Sequence, residues 1–124
     1  MAGTSDADAA LELLASHCDC VVIRRGARGV LGIAGGVIRE VPADPVDVVD
    51  TTGAGDCFNA GFLAGWLSGL PIEGSLTLGV ICGSGAVTDF GGYRGCPHAE
   101  EFRAVAAARG VDVPESWAPA GEPA

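Results

Sequence analysis

Apolar positions along the chain change period several times, and each change marks an element. Leu11, Leu14 and Ala15 recur at helical spacing, which predicts a helix over residues 6–16. Ser5 followed by Asp8 resembles an N-cap with a capping acid. Cys20-Val21-Val22-Ile23 is a short β-branched run, suited to a strand buried on both faces, and Gly26 and Gly29 break it. Val30–Ala34 and Val37–Val41 predict a hairpin that turns at Gly35-Gly36. Pro42 and Pro45 stop the hairpin, and residues 46–49 read as another short strand. A glycine turn follows, then a helical stretch to about Leu67. Pro71 opens the next helix, which runs to about Val87, and a third helix spans about Ala99–Ala108. Residues 114–124 read as a loose tail in which Trp117 docks on the surface.

The order helix, strand, hairpin, strand and three helices is the end of an α/β layered fold. A parallel sheet with only two or so central strands would leave its edge exposed, so the sequence reads as part of something larger.

Composition narrows the function classes. At 124 residues and 48% hydrophobic, the chain can build one modest domain with a real core. The net charge of −9 argues against nucleic acid or an anionic membrane as partner. It leaves a phosphate ligand open, because backbone N–H groups can hold one. Many of the 20 glycines cluster around 26–36, 53–55 and 83–95, which suggests tight turns. The start carries Asp6, Asp8 and Glu12 with no basic segment, so no signal peptide is expected. No apolar run approaches the roughly 18 residues of a membrane span. The five scattered cysteines read as reduced thiols, and a cytoplasmic location is expected. Cys18 and Cys20 lack the spacing and the second pair of a zinc site.

The candidate chemistry lies at Thr52-Gly53-Ala54-Gly55-Asp56. Two glycines between a strand and a helix let the backbone turn tightly and let a ligand approach closely. The first N–H groups of the helix lack internal partners and, with the helix dipole, form an anion site. Asp56 in the first turn would repel a bound phosphate unless a third group lies between them. A hydroxyl nucleophile beside a phosphoryl group meets that condition. The same residues equally fit an ordinary tight loop with an acidic first turn. A dinucleotide fingerprint would want Gly where Phe58 stands, and a phosphate loop would need Gly-Lys-Ser/Thr.

Asp50-Thr51-Thr52-Gly53-Ala54-Gly55-Asp56-Cys57-Phe58-Asn59-Ala60-Gly61-Phe62 resembles the C-terminal signature of the PfkB/ribokinase family of sugar kinases, D-T-x-G-A-G-D-x-F-x-[AG]-G. Upstream, residues 21–30 resemble the family's strand and its G-A-[KR]-G turn. Downstream, residues 86–92 resemble its helix end and glycine turn. About residues 6–109 fit. The resemblance implies a ribokinase-like three-layer α/β/α fold, of which residues 1–110 would be the C-terminal portion, without the N-terminal strands and β lid. Residues 111–124 would be a flexible tail.

The resemblance also implies roles. Gly53, Ala54 and Gly55 would form the anion hole for the transferring γ-phosphoryl group of ATP, and Asp56 would take the proton from the acceptor hydroxyl. Arg24, Gly26, Ala27, Arg28 and Gly29 would lie along the nucleotide, and Val80 and the loop 88–92 near its base. Mg²⁺ would arrive with ATP. A monovalent cation such as K⁺ would sit on Asp50 and Thr52 and on backbone carbonyls of Ala86, Asp89 and Gly91; a turn-capping role for Asp50 is the alternative. Arg24, Arg25 and Val80 depart from the residue types common there. Cys57, beside the base, reads as a packed thiol.

The expected partners are ATP and a small sugar or nucleoside. Association with a missing N-terminal half, or as a homodimer, is also expected. The family's upstream sugar-binding glycines and Asn-x-x-Glu motif are absent from these residues. Two functions follow: an ATP-dependent carbohydrate kinase, or a non-catalytic remnant that at most binds nucleotide or a partner chain.

Overall fold

Three strands, β1 (Cys20–Arg24), β2 (Val30–Ala34) and β3 (Val37–Val41), form one antiparallel meander in that order. The computed structural model describes residues 7–49, 51–88 and 99–113. The N-cap expected at Ser5, the loop 89–92 and the tail 114–124 with Trp117 lie outside them. The hairpin between β2 and β3 pairs Ile33 with Ile38 and Ala34 with Val37 around Gly35-Gly36, as the alternation predicts. β1 reaches β2 through a single 3-10 turn, Gly26–Arg28.

Helix α1 (Ala7–Ala15) covers one face of this sheet, where Leu11 packs on Val21 and Leu31. Helices α2 (Ala54–Leu67) and α3 (Ile72–Ala86) cover the other. There Phe58, Phe62, Leu76 and Val80 close over Val30 and Val41. Burying each such side chain contributes about 1.5–3 kcal/mol. The result is helix, sheet, helix, the three-layer arrangement expected. Gly32 in β2 admits this packing, because a Cβ there would lie 3.0 Å from Leu76 Cδ1. Helix α4 (Ala99–Ala108) adds an outer cluster in which Ala106 and Val111 meet Leu78 and Ile81.

Close contact between α2 and α3 sets where the site forms. A Cβ on Gly61 would lie 2.5 Å from the Leu78 carbonyl oxygen, and one on Gly79 would lie 2.6 Å from the Phe58 ring. Phe58, Phe62 and Trp66 recur at four-residue spacing and stack with centroids 6.3 and 6.1 Å apart.

Three expectations need correction. Residues 46–49 form no strand; residues 42–48 have no regular structure, and Val48 is 62% exposed. A strand needs a neighbour to complete its ladder, and no described strand pairs with this segment. β1 is not buried on both faces. Only Val21 is buried, because β1 is the edge of the described sheet. The described strands also pair antiparallel rather than parallel. Among the described residues no helix is long and apolar enough to cross a membrane.

Candidate active site

The turn from residue 51 into α2 is tight. Gly53 adopts φ 74°, ψ 0°, the left-handed region that glycine occupies at little cost. The Ala54 N–H folds back onto the Thr51 carbonyl at 3.2 Å, and the Cys57 N–H donates to Gly53 O at 2.9 Å, the first helical bond. By helix geometry the N–H groups of Gly53, Gly55 and Asp56 have no intrahelical acceptor. They carry the positive end of the α2 dipole. Ala54 differs from its expected role, since its N–H is already engaged in the turn. Asp56 stands in the first turn with its side chain exposed, where a carboxylate also favours the helix.

Beside this turn lies an open cavity of about 610 Å³. The end of β1, the 3-10 turn, the segment 43–48 and one side of α3 enclose it. Val30, Val46, Val48, Phe58, Val80 and Val87 make most of it apolar. Arg24, Thr51 and Ser84 supply polar groups. An elongated ligand with an apolar, flat end and an anionic end matches that division.

Six of the residues singled out from the sequence line this cavity together: Arg24, Gly26, Ala27, Gly29, Ala54 and Val80. Arg28 does not line it and is exposed. Gly53, Gly55 and Asp56 belong to the adjoining helix start. Thr52 is exposed and Ala86 is fully buried, while Asp50, Asp89 and Gly91 lie outside the described residues. Among the described residues no group of three His, Cys, Asp or Glu side chains could hold a metal ion.

The arginines divide the work. Arg25 pairs with Glu40 at 2.5 Å and donates to the Arg28 carbonyl at 3.0 Å, which fixes the 3-10 turn. Arg109 grips Asp44 through two bonds of 2.8 and 2.9 Å and holds the segment 43–48 against the cavity. Donating to Asp44 raises the already high Arg109 pKa. Arg24 instead lies over the Phe58 ring, 5.9 Å from its centroid, and against Gly55. Burial, aided by nearby Cys57, pushes the Cys82 thiol up to about 11, which marks it as an inert packing group.

Sequence reasoning missed Asp44, Ser84 and the segment 43–48 as cavity walls. Phe58 was read only as a signature position. Only the Pro42/Pro45 bracket hinted at an irregular wall.

A profile of the pfkB family of carbohydrate kinases matches residues 1–99. The chain belongs to the pfkB family. Within the family it is similar to the ribokinase of Lactococcus lactis, 34% identical over 93 residues, which make up 75% of this chain and 31% of that protein. Its fold is similar to Burkholderia thailandensis nucleoside kinase in complex with inosine, with a TM-score of 0.75 and 26% identity. That match covers 82% of this chain and 34% of the other. It is also similar to aminoimidazole riboside kinase from Salmonella enterica, complexed with aminoimidazole riboside and an ATP analog. There the TM-score is 0.68 at 33% identity, over 80% of this chain and 35% of that one. The chain thus spans about a third of the length of these pfkB-family and ribokinase-like relatives.

Proposed function

We propose that this chain carries the nucleotide-binding and phosphoryl-transfer part of an ATP-dependent kinase acting on a hydroxyl of a sugar or nucleoside. One observation carries the reading. The start of α2, whose first N–H groups have no intrahelical acceptor, and Asp56 adjoin a cavity that is apolar over most of its wall and polar at Arg24, Thr51 and Ser84. Family membership supports the same reading, and relatives include ribokinases and a cytidine kinase.

In this mechanism the nucleobase and ribose lie along Val46, Val80 and Val87, with Gly26–Gly29 beside them. The γ-phosphoryl group meets the N–H groups at Gly53–Gly55, with Ala54 joining when its turn bond opens. Asp56 accepts the proton of the acceptor hydroxyl as that oxygen bonds to phosphorus and the bond to the β,γ-bridging oxygen breaks. ADP leaves with the bridging oxygen. Preorganised donors at such a centre are usually the largest contribution to the rate. Mg²⁺ would neutralise charge on the phosphates, held mainly by them and by water. Thr52 and Ala86, with Asp50, Asp89 and Gly91, are proposed to hold a monovalent cation.

A second reading has its own support. The chain spans about a third of its relatives, and β1 leaves an unpaired edge in the described sheet. A chain of this kind binds nucleotide and associates with a complementary segment or a second copy, without turnover of its own. ADP release from Mg-ATP with a panel of sugars and nucleosides separates the two. Acceptor-dependent release that falls about 10²–10⁴-fold in Asp56→Asn supports the kinase. Nucleotide binding with no release under any acceptor supports the second reading. A chain that binds no nucleotide refutes both.

A further inference from the structure

Among the described residues, two charged side chains line the large cavity, Arg24 and Asp44. Asp44 is the one at odds with its surroundings. The chain already carries a formal net charge of −9, and the ligand proposed for this cavity is a polyanion. A bare carboxylate in the wall would repel it, most strongly where little water screens the two. Asp44 is not bare. Arg109 Nη1 donates to its Oδ1 at 2.8 Å and Nη2 to its Oδ2 at 2.9 Å, so each oxygen already has a charged donor. The Asp44 side chain is only 22% exposed, which makes the guanidinium rather than solvent its main partner.

Arg109 is built into its position. Helix α4 ends at Ala108, and the chain reverses at Gly110 with φ 79°. The Gly110 N–H donates to Ala107 O at 3.0 Å and the Val111 N–H to Ala106 O at 2.9 Å. Val111 also shares an apolar cluster with Ala106. Together these form a helix-ending motif that leaves Arg109 at the C-cap, where the helix dipole favours a cation. The guanidinium thus projects from a fixed point 65 residues along the chain from Asp44. A tie that only fastened the segment 43–48 would need no charge, since a neutral hydrogen-bonded pair would serve. Arg109 itself does not line the cavity.

We propose that Arg109 is a positioning residue for nucleotide binding: it neutralises Asp44 and turns an acidic stretch of cavity wall into one that admits a polyanion. This rests on the proposed kinase reading and deepens it. Arg109 acts through Asp44 and not by touching the ligand. Because the role is electrostatic, the two members of the pair have opposite effects when removed. Losing the Arg109 charge leaves a negative group facing the ligand, and losing the Asp44 charge leaves a positive one nearby.

The test is displacement of a fluorescent adenosine analogue from the full chain by ATP, AMP and adenosine. It compares wild type, Arg109→Gln, Arg109→Lys, Asp44→Asn and the double variant Asp44→Asn with Arg109→Gln. Circular dichroism melts establish that each is folded. At about 0.01 M salt, where charges act over roughly 30 Å, Arg109→Gln should weaken ATP about 3- to 10-fold, AMP less, and adenosine by under about 2-fold. Asp44→Asn should leave ATP as tight as in wild type or tighter. The double variant should return ATP to within about 2-fold of wild type, and Arg109→Lys, which keeps the charge without the fork, should do the same. At about 1 M salt, where charges act over roughly 3 Å, the differences should shrink. Equal loss of ATP affinity in Arg109→Gln and Asp44→Asn overturns the proposal, because that is the signature of a purely mechanical tie. Equal loss for ATP and adenosine in Arg109→Gln overturns it as well, and so does unchanged ATP affinity in that variant; in each case the kinase reading survives. Wild type that binds no nucleotide overturns the kinase reading together with this one.

Discussion

Gly61→Ala tests the helix contact on which the site depends. Alanine is the better helix former, so in an open helix interior this change would stabilise by about 1 kcal/mol. Here the new Cβ would lie 2.5 Å from Leu78 O and 2.9 Å from both Leu78 C and Cys82 Sγ. Two of those three atoms are backbone and cannot swing aside. Ordinary contact begins near 3.4 Å, so α3 must retreat by roughly 1 Å. A gap of that size forfeits a quarter to a half of the dispersion energy of facing atoms. The interface that loses it contains Phe58, Phe62, Leu76 and Val80. Overpacking of this kind costs about 1–3 kcal/mol, and against a backbone obstacle the upper half of that range applies. After the propensity gain, a net loss of about 1–2 kcal/mol remains, a fall in melting temperature of roughly 4–10 °C. Gly74→Ala is the matched control, because its Cβ would meet nothing closer than 3.8 Å. Thermal and urea unfolding followed by circular dichroism should rank Gly74→Ala at or above wild type and Gly61→Ala clearly below. Gly61→Ala as stable as wild type would show that α3 yields freely, and the claim that this contact places the cavity would fail.

Two further outcomes are expected. Gly29 has φ 88° and its Cβ would collide with the Val41 carbonyl, 2.8 Å from Pro42 Cα, so Gly29→Ala should destabilise the fold by about 1–3 kcal/mol and weaken nucleotide binding by moving the adjoining wall; a stable variant with unchanged binding refutes this. The Cys82 thiol stays protonated up to about 11 in the fold, against an ordinary value of 9.0, so its contribution is fully present below about pH 9 and is lost as pH rises toward 11. Urea titrations across that window should show a decline in wild type that is smaller in Cys82→Ala; identical slopes would contradict it.

The hairpin was legible because alternation and the Gly35-Gly36 turn agree on one register, and α4 because its period is undisturbed. Residues 46–49 carried the same β-branched composition yet made no strand. Composition reports a preference for extended backbone, while a ladder needs a neighbour that local sequence does not encode. The motif at 50–62 announced the start of α2 and its acid. Asp44 and Ser84 were invisible, because they come to line one cavity only after α3 folds back on α2 through Gly61 and Gly79. Arg24 was readable as a cation at a strand end, but not as one set against Gly55. That relation depends on two elements about thirty residues apart in the chain.

The outer wall of the cavity behaves as a strap with two buckles. The segment 42–48 belongs to no sheet, and it is fastened at Asp44 to Arg109, just past α4, and at Val49 to Val87, where the Val49 N–H donates to the carbonyl at 2.7 Å. Its tension is therefore set by the ends of α3 and α4 rather than by the strands that precede it. The breadth of the opening therefore rests on contacts made at residues 87 and 109, far along the chain from the strands that frame the cavity.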